Sequence, residues 1–366
     1  MYNKLIPPVM QFLILQGCSK ETKASSGDDL GLKGIRISEG IDFTTPSTEQ
    51  LTAVVTTSHQ PIVPGTRGLY NLGNTCYFNS ILQILMHIED LCLALRSIKL
   101  FHDEDDFVPP SPEEKLVRRF VDTFSRQWSA DRYSPINPRK LLKALSHFDP
   151  ILFELGVQQD AHEALIVTST LLSDAIARLF PHSTEIHKLF EFQVSRQVIC
   201  NNGTTTRLDA TADSQILIPL PVSNDPVTMQ SAIRVAFNSQ NFGKLSACSH
   251  GDLEQGGITT SLFSTFPKLL LIVAHRNIYG SSKIRTAIQY PLTFSLNDVP
   301  REIESPVYQL KGVVHHRGRS VQSGHYTAEY RHPETGQWYL ANDHEVSRIE
   351  NPTNDSPTAY IFLYSS

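Results

Sequence analysis

At 366 residues the chain is long enough for one large unit or two ordinary domains, and 40% apolar against 19% charged residues is the composition of a soluble globular protein. Lys and Arg number 32 against 37 Asp and Glu, a net charge of −5, and no basic stripe interleaves with aromatics, so nucleic acid is not an expected partner. Five cysteines, an odd number at wide spacing, do not read as a disulfide framework.

The first 64 residues lack sustained periodicity and read as a leader, with a second segment, 65–366, carrying the folded domain. Lys4 precedes an apolar stretch interrupted by Pro7 and Pro8 and followed by Gly17-Cys18, an arrangement similar to a bacterial lipoprotein signal. On that reading Cys18 is lipidated and the Ser/Lys/Gly-rich run after it is a tether, so that any membrane attachment passes through this anchor alone. The alternative is a disordered or loosely docked N-terminal arm on a eukaryotic protein of the cytoplasm or nucleus. The apolar run is too short to span a membrane as an ordinary helix.

From Thr75 to Leu95 the apolar residues Phe78, Ile81, Leu82, Leu85, Ile88, Leu91, Cys92 and Leu95 fall on one helical stripe. An acidic, proline-containing loop follows, then helical patterns over Pro112–Trp128, Pro138–His147 and Gln158–Phe180. The second half turns to strands: alternation at Phe190, Phe192 and Val194, a continuous apolar run Leu269–Ala274, and further strands at Val307–His316, His325–His332, Trp338–Leu340 and Ala359–Tyr364. Helices first and strands later make an α+β fold, with a cleft expected where the two halves meet.

Cys76 stands at the start of the first long helix, where free N–H groups and the helix dipole favour a thiolate. A small buried cysteine opening a core helix is the competing reading. Asn71 can lend a side-chain amide to an oxyanion. Far downstream, Gly324 leaves room for a chain to approach His325, and Asn342 and Asp343 follow 17 and 18 residues later, after a strand. Two strands joined by a turn bring Asn342 or Asp343 beside the imidazole, the orienting role in a nucleophile–base–acceptor triad. With 14 histidines in the chain, it is this flanking pattern that singles out His325.

Gly68-Leu69-Tyr70-Asn71-Leu72-Gly73-Asn74-Thr75-Cys76-Tyr77-Phe78-Asn79-Ser80 resembles the Cys box of the ubiquitin-specific proteases. Gly156-Val157-Gln158-Gln159-Asp160-Ala161-His162-Glu163 resembles the family's second block, Val314–Tyr330 with Trp338–Ile349 its His box, and Ala359–Tyr364 its closing strand. The resemblance implies a papain-like cysteine protease fold with a helical thumb, a palm sheet and β fingers. It implies a thiol-dependent deubiquitinase that acts on ubiquitin and ubiquitinated proteins, or on a ubiquitin-like modifier. By the same resemblance Cys76 is nucleophile, His325 general base, Asn342 the orienting residue, Asp343 a supporting polar partner and Asn71 the oxyanion donor. Gln159 and Asp160 match positions that contact the substrate tail, where an acidic group suits arginines; Asp160 also reads as a helix N-cap. His316 falls where the family has a histidine at the sheet edge, and with Gly324 completes the expected substrate side.

Two departures bear on function. The family's paired Cys-x-x-Cys zinc ligands are reduced to Cys200 and Cys248, and even with His250 one ligand is missing, so neither metal nor other cofactor is expected. Asn342 stands where aspartate is common, an accepted exchange because an amide oxygen still accepts from an imidazole N–H. A ubiquitin-binding module that grips without cutting is the rival class; the presence of both Cys76 and His325 speaks against it.

Overall fold

The computed structural model describes residues 63–98, 109–130, 134–180, 186–238, 240–250, 253–276, 283–318 and 323–366. The proposed lipidation residue Cys18 and nearly all of the 1–64 leader lie outside them. The rest belongs to one compact unit, Ile62–Ser366.

Six helices are described: α1 (Cys76–Leu85), α2 (Glu89–Ser97), α3 (Pro112–Gln127), α4 (Arg139–Leu145), α5 (Ala161–Leu179) and α6 (Met229–Ala236). The start of α3 follows from its sequence. Ser111 accepts from the Glu114 amide, Pro112 occupies the first turn, where no N–H is needed, and Glu113 and Glu114 complement the dipole. The single stripe read from Thr75 to Leu95 is instead two helices bent by 86°. No proline or glycine causes the break. The Met86 carbonyl accepts from the Trp128 indole at 3.1 Å, and the His87 ring bridges the carbonyls of Gln83 and Gly65, so partners from elsewhere in the chain satisfy the turn. Likewise α5 starts at Ala161 rather than Gln158, because Asp160 caps it by accepting from the amides of His162 and Glu163. Among the described residues no single helix is long and apolar enough to cross a membrane.

The strands are β1 (Phe192–Cys200), β2 (Thr205–Asp213), β3 (Ile216–Pro219), β4 (Val227–Thr228), β5 (Gln240–His250), β6 (Leu253–Phe263), β7 (Leu269–His275), β8 (Ile288–Gln289), β9 (Thr293–Ser295), β10 (Val307–Arg317), β11 (His325–Arg331), β12 (Trp338–Asn342), β13 (Glu345–Ile349), β14 (Asp355–Ser356) and β15 (Ala359–Ser365). The largest sheet runs β13-β12-β11-β10-β15-β7-β3, with β9 on the flank of β10. Strand β7, between β15 and the edge strand β3, is an unbroken apolar run because both faces are covered. On one face α1 and α5 pack through Ile81, Leu85 and Leu165 onto Val314, Tyr326, Ile361 and Leu363. On the other, Met229 and Ile233 of α6 join Ile218, Ile272, Phe362 and Tyr364. A second, four-stranded sheet, β2-β1-β6-β5, projects as the fingers, its edge strand β2 largely exposed.

This is the α+β architecture expected: a helical lobe, a palm sheet and strand fingers. Of the fingers, β1 falls in the alternation at Phe192 and Val194, whereas β2, β5, β6 and helix α6 are additions that the sequence pattern did not mark. In the fingers, Cys200 is disulfide-bonded, contrary to the reading of the cysteine pattern, so its sulfur is not a thiolate ligand. The side chains of Cys248 and His250 lie outside the described residues.

Candidate active site

Three segments meet at one end of the palm sheet: the loop before α1, the start of β11, and the turn from β12 to β13. The loop is tied to the turn by main-chain contact, since the Leu69 amide donates to the Asp343 carbonyl at 2.8 Å. Gly68 is required there, because a Cβ at this position would lie 2.2 Å from the His344 carbonyl oxygen.

The loop ends in two residues of positive φ. Gly73 takes φ +92° freely, whereas Asn74 holds φ +56° with its side-chain amide donating to the Gly156 carbonyl at 2.8 Å. Thr75 then begins α1 without capping it by a side chain; its hydroxyl accepts from the Leu72 amide. That leaves the first amides of the helix to Cys76, whose thiol is free and whose residue is only 3% exposed. Burial pushes the thiol pKa up, the Tyr326 amide counters that, the Asp343 charge raises it further, and the amides of Tyr77 and Cys76 itself lower it. Burial wins. The thiolate expected from the helix terminus is therefore not the resting form, and the proton has to be removed by a base.

His325 opens β11, one residue before the Tyr326 amide that reaches the Cys76 sulfur. Its Nε2 lies 2.6 Å from Asn342 Oδ1. An amide oxygen can only accept, so Nε2 carries the proton and Nδ1 keeps its lone pair. Register delivers Asn342: β11 and β12 pair antiparallel through Ala328 and Ala341, which brings the end of β12 beside the start of β11.

Asp343 differs from expectation. It sits in the turn at φ +50°, and its carboxylate accepts from Asn71 Nδ2 at 2.9 Å and from buried Asn79 Nδ2 at 2.7 Å, not from His325. The Asn71 Oδ1 is meanwhile held by the amides of Gly73 and Thr75. Both ends of the Asn71 amide are thus fixed.

The expected substrate side divides. Gln159 turns away to donate to the Ile151 carbonyl at 2.8 Å. Its neighbour Gln158, absent from the sequence-derived set, ties the approach to α5 to the start of β11: Nε2 donates to the Gly324 carbonyl at 3.0 Å and Oε1 accepts from the Gly324 amide at 3.3 Å. Asp160 is the N-cap anticipated as its alternative role, and it also accepts from the Tyr360 hydroxyl at 2.8 Å. Gly324 packs so closely that a Cβ there would fall 2.4 Å from the Arg317 carbonyl oxygen and 2.6 Å from His316 Nε2. His316 is buried beneath it, stacked on Tyr326 with ring centroids 4.3 Å apart. Gln158, Asn79 and Tyr360 were missed because their roles depend on partners far along the chain. The one local signal was the start of α5, which decides which glutamine of the pair reaches Gly324.

A buried free thiol, an imidazole oriented by an amide, and a side-chain amide braced at both ends make up the site of a cysteine-type hydrolase. The sequence profile of the ubiquitin carboxyl-terminal hydrolase family matches residues 67–364. Ubiquitin carboxyl-terminal hydrolase 14 of Caenorhabditis elegans is 24% identical over 372 residues, covering 82% of this chain and 73% of that protein. Human ubiquitin carboxyl-terminal hydrolase 2 is 26% identical over 344 residues, covering 82% of this chain and 55% of its own length. The chain thus spans little more than half of some relatives. Among solved structures, the SAGA DUB module Ubp8/Sgf11/Sus1/Sgf73 bound to ubiquitin aldehyde shares the fold, with a TM-score of 0.68 at 20% identity over 85% of this chain and 71% of that one. The same module bound to monoubiquitin gives 0.70 at 21% identity, over 85% of this chain and 72% of that one. The chain belongs to the ubiquitin carboxyl-terminal hydrolase family, the cysteine-type deubiquitinases whose Cys and His boxes its sequence resembles.

Proposed function

We propose that this protein hydrolyses the isopeptide or peptide bond after the C-terminal glycine of ubiquitin, removing ubiquitin from protein conjugates. His325 Nδ1 takes the Cys76 proton as the sulfur attacks the glycine carbonyl. The carbonyl electrons move onto oxygen, where the second N–H of Asn71 and an amide at the start of α1 stabilise them. Collapse expels the amine, which leaves with the proton held by His325. Water, deprotonated by the same imidazole, then releases ubiquitin from the thioester. Asn342 holds the ring in the required tautomer throughout.

The observation that carries this reading is the 2.6 Å contact between His325 Nε2 and Asn342 Oδ1, on the residue next to the amide that reaches the Cys76 sulfur. Family membership and the ubiquitin-bound state of both structural neighbours support ubiquitin as the modifier. The test is a ubiquitin probe with an electrophilic C-terminus, run beside probes built on ubiquitin-like modifiers. A covalent ubiquitin adduct that disappears in Cys76→Ala supports the reading. Labelling by a ubiquitin-like probe alone, or none on reduced protein, refutes it.

A further inference from the structure

Beneath the Gln158–Gly324 bridge lies a polar atom that the mechanism above does not use. His316 is 3% exposed, and its Nε2 has no hydrogen-bond partner. A buried ring nitrogen without a partner carries a free-energy cost, so its persistence against Gly324, next to His325, suggests a missing acceptor or donor. The ring cannot turn away, because it is stacked on Tyr326 at an interplanar angle of 14° and pressed against Gly324.

Its other nitrogen decides what Nε2 offers. Lys283 Nζ lies 3.2 Å from His316 Nδ1 and donates to the His316 carbonyl oxygen at 2.5 Å. Burial, with Arg276 and Arg285 nearby, lowers the Lys283 pKa to about 8, so at pH 7 it is an ammonium with only hydrogens to give; Nδ1 then accepts and the ring proton resides on Nε2. Lys283 is itself delivered by Arg276, a buried guanidinium that donates to the carbonyls of Ile284, Thr286, Ser356 and Ala359 and so fastens the returning chain to the end of β7. The charged groups facing the pair are Arg276 and Arg285 around Lys283, and His325 beside His316. Burial, with Lys283 and His325 nearby, holds the His316 pKa at about 4, so the ring is neutral and has a single N–H to place.

We infer that Lys283 is a positioning residue that locks His316 as the Nε2–H tautomer, so that the ring presents one fixed donor to a main-chain carbonyl of the glycine-ended ubiquitin tail once the Gln158–Gly324 bridge opens. This rests on the function proposed above and adds a recognition element to it. Without Lys283 the Nδ1–H tautomer becomes accessible, and Nε2 then turns a lone pair toward the carbonyl instead of a hydrogen.

The test compares wild type, Lys283→Met and Lys283→Arg on a ubiquitin–fluorophore substrate, with the rate of Cys76 alkylation by a small haloacetamide as a control. Lys283→Met should raise KM about tenfold, the worth of one such hydrogen bond, with kcat and alkylation within twofold of wild type. Lys283→Arg, which still donates to Nδ1, should restore KM. Nitrogen NMR of the wild-type His316 ring should show the Nε2–H tautomer, mixed with Nδ1–H in Lys283→Met. An Nδ1–H tautomer in the wild type overturns the inference even if Lys283→Met does not fold. An unchanged KM in Lys283→Met overturns it too, as does a parallel fall in kcat and alkylation, which would mean that Lys283 acts through His325 or the fold. Wild-type protein that turns over no ubiquitin substrate overturns the functional reading and this one with it.

Discussion

Replacing Asp343 with asparagine separates the oxyanion site from the nucleophile. The φ of +50° at this turn suits asparagine as well as aspartate, so the backbone is retained. What changes is the acceptor set. The carboxylate receives Asn71 Nδ2 on one oxygen and Asn79 Nδ2 on the other; an amide keeps one acceptor and turns an NH2 toward the second donor. Asn79 has fallback acceptors, the carbonyls of Leu69 and Tyr70 at 3.4 Å, whereas Asn71 Nδ2 depends on Asp343. The cost therefore falls on Asn71. Loss of a whole oxyanion donor costs about 3–4 kcal/mol in the transition state, and a loosened one about 2–3, so kcat should drop roughly 30- to 160-fold with KM nearly unchanged. The charge of Asp343 raises the Cys76 thiol pKa, so its removal leaves Cys76 alkylation at neutral pH unchanged or faster. Steady-state hydrolysis of a ubiquitin–fluorophore and alkylation kinetics measure the two effects. Retention of kcat within about threefold, or alkylation falling in step with kcat, would refute the assignment of Asp343 to Asn71.

Asn342→Ala should do the opposite to the nucleophile: freed from its 2.6 Å partner, His325 loses its fixed tautomer, and kcat and Cys76 alkylation should fall together, kcat by about 10²-fold or more, while Asn342→Asp retains activity. Gly324→Ala places a methyl 2.4 Å from the Arg317 carbonyl oxygen and 2.6 Å from His316 Nε2. The start of β11 must move, and a displacement approaching 1 Å at His325 should cost kcat about 10²-fold, with destabilisation of about 1–3 kcal/mol in urea unfolding. His87 sets an acid limit on stability. Burial outweighs the two carbonyls that favour its charged form and holds its pKa at about 4, below the ordinary 6.5. Between those values the unfolded chain binds a proton that the folded one refuses. Its contribution is thus intact above pH 6.5 and is lost as pH falls toward 4, by about 2 kcal/mol at pH 5. Unfolding free energies at pH 7 and pH 5 should differ less in His87→Gln than in wild type; equal differences would contradict the account.

Much of this protein was legible before any coordinates. The strands Leu269–His275, Val307–Arg317, His325–Arg331 and Ala359–Ser365 stand within a residue or two of where alternation and apolar runs put them, because burial on one or both faces writes itself into local pattern. The Cys and His boxes are local strings, so Cys76, His325, Asn342 and Asn71 were named from them. The partners that complete the site are not local. Asp343 braces Asn71 from 272 positions away and Asn79 from 264, and Gln158 meets Gly324 across 166. Nothing in the neighbourhood of Lys283 marks it as the partner of His316. The bend after Leu85 has the same origin, since the Trp128 indole takes the carbonyl that a continuous helix would have used. Even the state of the thiol was decided in three dimensions: the sequence supplies the helix terminus that stabilises a thiolate, but only the packed lobes supply the burial that outweighs it. Periodicity and motif carry information over a few residues, whereas desolvation and hydrogen-bond partnership belong to the space in which distant segments meet.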